Sequence, residues 1–402
     1  MTADQLIVTG NTAHTQPENR LFFPALDGLR AVAFLLVFFT HYAALPWGFA
    51  GVNIFFVLSG FLITGILFDS RGDPCRARNF YIRRTLRIFP LYYAVFLVLL
   101  LLAPILHWQW TLSWLAWPLY LGNFLILRSP QVMVINSPQA VSAFGHLYSA
   151  RFPVFAFIGH FWSICVEEQF YLFWPAIVFL TRSRRALIWV CGITVVVVPL
   201  LRELAQHTAP AWMLQAEMLY RITPFQLDSL LLGGLIALLW RGEHRGRLLA
   251  VARIVAWLCA VVAVVYLAVT VRQSMPDWAF GYRYPSWMLT GGLTFINIFS
   301  ASLILCALNP AGLVYRLLRV RALRWLGRIS YGAYVFHDIP HHSYIYFVAH
   351  LGLHIRFVAA NPMLCTILVA LCATLLISWL SFRFYESRFL NLKERWTARP
   401  AV

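Results

Sequence analysis

Apolar runs of about 17 to 25 residues recur along nearly the whole 402-residue chain, each long enough to cross roughly 30 Å of hydrocarbon as a helix. Backbone in hydrocarbon must satisfy its own hydrogen bonds, so such runs fold as helices and pack on one another. With 61% hydrophobic and only 12% charged residues, and a mean hydropathy of +0.71, the composition lies outside that of soluble globular domains. The expected fold class is all-α, a polytopic transmembrane helical bundle.

Candidate spans fall near residues 29–45, 51–68, 88–107, 110–127, 161–181, 185–201, 223–240, 250–271, 287–308, 329–349 and 361–384. Charge tests this count. The net charge of +17 is carried by arginine, Lys393 being the only lysine. The arginines cluster at 71–87, 182–185, 241–247, 315–328 and 388–399. Basic residues concentrate on cytoplasmic loops. If every candidate crosses from a cytoplasmic N-terminus, the clusters at 182–185, 241–247 and 315–328 fall outside; if 110–127 does not cross, every cluster falls inside. About ten crossings are therefore expected, with both termini cytoplasmic. Segment 110–127 is then interfacial or re-entrant, and its Trp108, Trp110, Trp114 and Trp117 suit an interface. It leads into an external stretch reaching about residue 160.

Residues 1–20 are polar and lack a secretory pattern, so the first apolar run is expected to be retained. They form a cytoplasmic N-terminal segment before a membrane domain at 21–390 and a cytoplasmic tail at 391–402. The seven cysteines are scattered without a CxxC pair, which gives neither a disulfide framework nor a zinc site.

Ionisable groups inside spans are costly and mark functional sites. Arg30 and His41, eleven residues apart in LDGLRAVAFLLVFFTHY, are separated by roughly 16 Å of helix, which puts Arg30 at the cytoplasmic mouth and His41 deep in the membrane. A neutral buried imidazole is a ready general base. Glu167 and Glu168 are adjacent. Ser163 shares a helix face with Glu167, whereas Glu168 points about 100° away, so one carboxylate faces a site and the other takes a structural partner such as an arginine. His337 is expected mid-span, with Ser330 and Tyr334 on its face and Asp338 after it. Asp228 lies seven residues after Arg221 on the same face, and an ion pair between them stands beside a role in the site. His41, Glu167, His337 and Asp228 are expected to converge on one polar cavity, an arrangement suited to acid–base chemistry or to ion-coupled transport.

In order along the chain, LDGLRAVAFLLVFFTHY, GFAGVNIFFVLSGFLITG, FYIRRTLRIFPLYY, FWSICVEEQFYLFWP, LDSLLLG, ISYGAYVFHD and FRFYESRFLNLK resemble the motifs of acyltransferase family 3, integral-membrane O-acyltransferases. The likeness runs from about residue 22 to 396. It implies transfer of an acyl group, often acetyl, from cytoplasmic acyl-CoA to a hydroxyl of a carbohydrate or related acceptor such as a cell-surface polysaccharide or glycolipid. The family's Arg–His signature maps onto Arg30 and His41, its paired-arginine motif onto Arg84 and Arg87, and its glutamate onto Glu167. Two positions depart from the pattern: Asn53, usually Asp, and Gln226, often Arg. Asn53 is therefore given no acid–base role. Some members carry an extracytoplasmic hydrolase-like domain after the last helix; with Val402 as its last residue, this chain resembles the stand-alone kind.

The expected catalytic set is His41, Glu167 and His337, with Arg30, Arg83, Arg84 and Arg87 binding the donor and Ser163, Asp228, Arg221 and Tyr334 supporting them. His41 deprotonates the acceptor, with Glu167 or His337 orienting it, either directly against the thioester or after an acyl-enzyme forms. Arg324 and Arg328 offer further phosphate contacts. Ser59, Gly60, Thr64 and Gly65 either admit the pantetheine arm or simply pack helices. Aromatics at 128–160, with His146, Tyr148, Arg151 and His160, and at 273–287 either stack on sugars or anchor the interface. Acyl-CoA enters as a substrate, and no permanently bound cofactor and no metal are expected. The expected partners are membrane lipid, acyl-CoA and a carbohydrate acceptor, with no nucleic acid. A polytopic transporter or lipid-linked flippase with proton-coupling His and Glu residues is the alternative, against which stands the lack of a visible inverted repeat.

Overall fold

The computed structural model describes residues 23–43, 45, 47–105, 112–127, 158–210, 214, 218–272 and 287–397. The main helices are α1 Pro24–Ala43, α2 Ala50–Asp69, α3 Arg76–Ile105, α4 Trp162–Leu180, α5 Arg184–Thr208, α6 Leu227–Trp240, α7 Arg245–Arg272, α8 Leu293–Ala307, α9 Arg321–Phe336, α10 His341–Gly352, α11 Pro362–Ser381 and α12 Ser387–Trp396. Among the described residues there is no β-strand, and nine helical segments are long and apolar enough to cross a membrane. This is the architecture of a multi-pass membrane bundle.

Helices α2 and α6, apolar nearly all round, form the interior. They pack in backbone contact: Gly60 lies against the Leu230 carbonyl and Gly233 against that of Val57, so a Cβ at either would strike main chain. Small residues allow that approach. α1 packs on α2 and α9, with Leu29, Phe34 and Phe38 fully buried. α5 and α7 leave most of their apolar side chains on the outside, as lipid-facing helices do.

Three features differ from the sequence expectation. α3 starts at Arg76 rather than near 88; just ahead of it Asp73 accepts the Cys75 N–H at 2.7 Å in an Asx turn and Asn79 Nδ2 at 3.1 Å, which leads the chain into the helix within the arginine cluster. The span expected at 329–349 is interrupted: α9 stops at Phe336 and α10 begins at His341. Pro340 lacks the N–H a continuous helix needs and restricts the residue before it. Both pieces pack on α11. Residues 112–127 form two short 3-10 helices, Leu112–Ala116 and Gly122–Leu127, neither long enough to cross. Their Trp114 and Trp117 are buried in the protein core rather than spread along an interface, because Gln169 Nε2 ties the segment inward, donating to the Tyr120 carbonyl at 2.6 Å and Asn123 Oδ1 at 2.9 Å. Trp108, Trp110 and residues 1–20 lie outside the described residues, as do most of 128–160 and 273–287.

Candidate active site

The end of α1 brings His41 against the break between α9 and α10. His41 Nδ1 lies 2.8 Å from His337 Nε2, and the two rings stack with centroids 4.9 Å apart. His337 Nδ1 lies 2.7 Å from the carbonyl of Tyr334. A carbonyl only accepts, so Nδ1 carries the proton, His337 Nε2 is the acceptor, and His41 Nδ1 donates. The lone pair of His41 is thereby placed on Nε2. Tyr42 locks the break by donating its hydroxyl to the His337 carbonyl at 2.6 Å.

Because α9 stops at Phe336, Asp338 leaves the helix and reaches this pair. Its Oδ1 lies 3.8 Å from His41 Nδ1 and 3.1 Å from His341 Nδ1, and its Oδ2 lies 3.6 Å from His160 Nδ1. His160, at the start of α4, donates Nε2–H to the Val335 carbonyl at 3.1 Å, leaving its buried Nδ1 without a hydrogen bond. One carboxylate thus faces three imidazoles. His337 is fully buried, whereas the His41 side chain keeps 17% of its exposure.

A second layer lies beneath. Tyr334 donates to the His160 carbonyl at 2.9 Å, and Ser163 Oγ sits 2.5 Å from the Tyr334 hydroxyl. Ser163 and Tyr334 line a cavity of about 100 Å³ whose other lining residues include Ser59, Glu167, Tyr171, Arg30, Arg84 and Arg87. Ser59 donates to Glu167 Oε1 at 2.7 Å and Tyr171 to Oε2 at 3.0 Å. Arg30 is held by Asp27 at 2.8 Å. Arg84 stands over the ring of Tyr171, 5.6 Å from its centroid.

His41 and His337 therefore meet directly, and Tyr334 supports them through its carbonyl. Glu167 belongs to the layer below, where it is held by Ser59 and Tyr171 rather than orienting an imidazole. Glu168 does not line the cavity, and its buried Oε1 accepts no hydrogen bond, so the arginine partner expected for it is not hydrogen-bonded there. Arg83, one step round the helix from Arg84, does not line the cavity either, nor do Arg324 and Arg328. Gly60, Thr64 and Gly65 serve packing: Thr64 accepts Trp174 Nε1–H at 2.8 Å, and Gly65 lies against Arg241.

Asp228 departs most from expectation. Its carboxylate is bridged by Arg202 at 2.6 and 3.2 Å, and Asn297 donates to Oδ2 at 3.0 Å. Asn53 in turn donates to Asn297 at 2.9 Å. Arg221 instead stacks over Trp162, with 5.8 Å to the ring centroid. Seven-residue spacing puts two residues on one face only within a continuous helix; here Ile222 is extended and Thr223–Gln226 is a 3-10 turn carrying Pro224. Asp228 therefore turns away from the cavity.

Sequence reasoning gave no catalytic role to His160, Asp338, His341, Ser59 or Tyr171, having offered Ser59 only along the pantetheine path and His160 only as a sugar or interface contact. Pro340 signalled the helix break that frees Asp338, and Tyr171 stands four residues after Glu167, a helical-neighbour spacing. For His160 and Ser59, whose partners lie on other helices, no local signal existed.

A family model described as an acyltransferase domain matches residues 23–383. The chain is 27% identical over 390 residues to a candidate peptidoglycan O-acetyltransferase, YrhL of Bacillus subtilis, covering 92% of this chain and 55% of that protein. It is 25% identical over 406 residues to the peptidoglycan O-acetyltransferase OatA of Listeria monocytogenes, covering 92% of this chain and 56% of that protein. The chain thus spans little more than half the length of these curated relatives. No solved structure matches it significantly.

Proposed function

The chain belongs to the acyltransferase family whose domain model spans it, and on that premise we propose that it is a membrane-bound O-acyltransferase. It moves an acyl group, acetyl in the simplest case, from cytoplasmic acyl-CoA to a hydroxyl of a carbohydrate acceptor of the cell envelope. One observation carries this reading: Arg30, Arg84 and Arg87 line the same cavity as Ser163 and Tyr334, and the Tyr334 carbonyl lies 2.7 Å from Nδ1 of the His337 that meets His41.

Guanidinium groups bind phosphate oxygens in pairs, and a nucleotide-bearing thioester supplies several phosphates. The arginine-rich helix ends face the cytoplasm by the positive-inside rule. The donor then enters from that side with its acyl group pointing toward His41, and both termini are cytoplasmic. The acceptor arrives from the opposite face. His41 Nε2 removes the proton of its hydroxyl, the oxygen attacks the acyl carbonyl, the C–S bond breaks, and the CoA thiolate leaves with the proton returned by the His41 imidazolium. His337 holds the imidazole in the tautomer that leaves Nε2 basic, and the Asp338 carboxylate stabilises the imidazolium that forms.

The test is release of CoA thiol from acetyl-CoA by the purified full chain in liposomes, with and without soluble peptidoglycan fragments. Acceptor-dependent release, lost in His41→Ala with the protein still folded, is expected. A proton-coupled transporter with the same buried residues releases no CoA, and that outcome would overturn the proposal.

A further inference from the structure

We propose that Ser59 is a nucleophile that accepts the acyl group before the acceptor does, with Glu167 as its base. The inference rests on the acyltransferase reading above and adds to it a covalent acyl-serine intermediate in the middle of the bundle.

Buried serines on transmembrane helices ordinarily turn their hydroxyl back onto the carbonyl three or four residues earlier. Ser300, Ser302, Ser330 and Ser378 of this chain do so, at 2.6 to 2.9 Å. Ser59 does not: its hydroxyl lies 2.7 Å from Glu167 Oε1 and 2.8 Å from the Tyr171 hydroxyl. Tyr171 also donates to the other carboxylate oxygen. This is a nucleophile on a base that a third group orients. All three line the cavity, together with Arg84, whose guanidinium stands over Tyr171. The next residue, Gly60, is pressed against the Leu230 main chain, so α2 cannot turn Ser59 away.

The position also answers a problem of reach. Ser59 is the tenth of twenty residues in α2, about 15 Å from either helix end, whereas His41 sits in the last turn of α1. An acyl group parked on Ser59 is handed on within the bundle. In the first step Ser59 Oγ attacks the thioester carbonyl, its proton passes to Glu167, the C–S bond breaks, and the CoA thiolate takes that proton from Glu167. In the second step the acceptor oxygen, deprotonated by His41, attacks the serine ester. The acceptor ester forms, and Ser59 leaves as an alkoxide that is reprotonated by the imidazolium through Glu167 or water.

The experiment incubates the full-length protein in liposomes with acetyl-labelled acetyl-CoA and no acceptor, then measures label on the protein, maps it by peptide mass spectrometry, and assays CoA release with peptidoglycan fragments in parallel. Wild type should carry label on the peptide containing Ser59, and adding acceptor should remove it. Ser59→Ala should lose the label and at least a hundredfold of acceptor-dependent release while still binding CoA. Ser59→Cys should carry label that neutral hydroxylamine removes, the mark of a thioester; a structural role for Ser59 would not produce it. Wild-type turnover with no label, or Ser59→Ala turnover at the wild-type rate, overturns the intermediate and leaves the acyltransferase reading intact. No acceptor-dependent release by wild type overturns both.

Discussion

The Asp228 network and the His41 cluster both bury ionisable groups between helices, but they are satisfied differently. Around Asp228 the charges close on one another: Arg202, with no exposure, spans both carboxylate oxygens, also donates to the Phe225 carbonyl at 2.9 Å, and ties α5 to α6 and α8, with its Nε left without a hydrogen bond. Around His41 the groups stay open. Asp338 is shared at 3.1 to 3.8 Å by three imidazoles, and His160 Nδ1 has no hydrogen bond. Below them, Arg84 and Arg87 face a cavity. A buried charge that is already paired stabilises one arrangement of helices, whereas one whose partners are incomplete can still meet a ligand.

Mutations should separate the two sets. His41→Ala should lower acceptor-dependent turnover by about 10²- to 10⁴-fold, the range of a general base, with the thermal melting of the detergent-solubilised protein unchanged. In the other set, Arg202→Ala should remove about 3–5 kcal/mol of stability by stranding Asp228, seen as a lower melting temperature and yield. The double variant Arg202→Met with Asp228→Leu should recover most of that loss, and recovery would mark the pair as structural. An Arg202 variant that melts normally yet is inactive would break the comparison.

Arg84→Ala and Arg87→Ala should each raise KM for acetyl-CoA about ten- to a hundredfold, as when a charge-assisted hydrogen bond is lost, with a smaller change in kcat. Asp338→Asn should lower kcat about tenfold, equivalent to about 1.4 kcal/mol of charge stabilisation, and leave the donor KM alone. Asn53→Ala should cost only about 1 kcal/mol of stability, one hydrogen bond's worth, with activity following the folded fraction. A kinetic defect in folded Asn53→Ala protein would draw the Asp228 network into the chemistry.

Much of the fold was readable along the chain. The apolar runs become helices because hydrocarbon leaves the backbone no other partner, and the arginine pattern singled out residues 110–127 as a segment that does not cross, where the structure has two short 3-10 helices within 112–127. Within one helix, side-chain spacing also held: Ser163 and Glu167 line the same cavity, and so do Arg84 and Arg87. It failed where the helix was not continuous. Pro224 and Pro340 were visible as residues, but how the chain re-aims Asp228 and Asp338 beyond them depends on what packs there.

A helical membrane bundle and the faces of its individual helices follow from the sequence alone, because each is a property of one segment in its solvent. Which ionisable groups meet was settled by packing between segments. His160 with Asp338, Ser59 with Glu167 and Arg202 with Asp228 join helices far apart in the chain. Several pairings of carboxylates with arginines or histidines are chemically equivalent on paper, and the close packing of α2 on α6 and of α1 on α9 selects among them by fixing which faces touch.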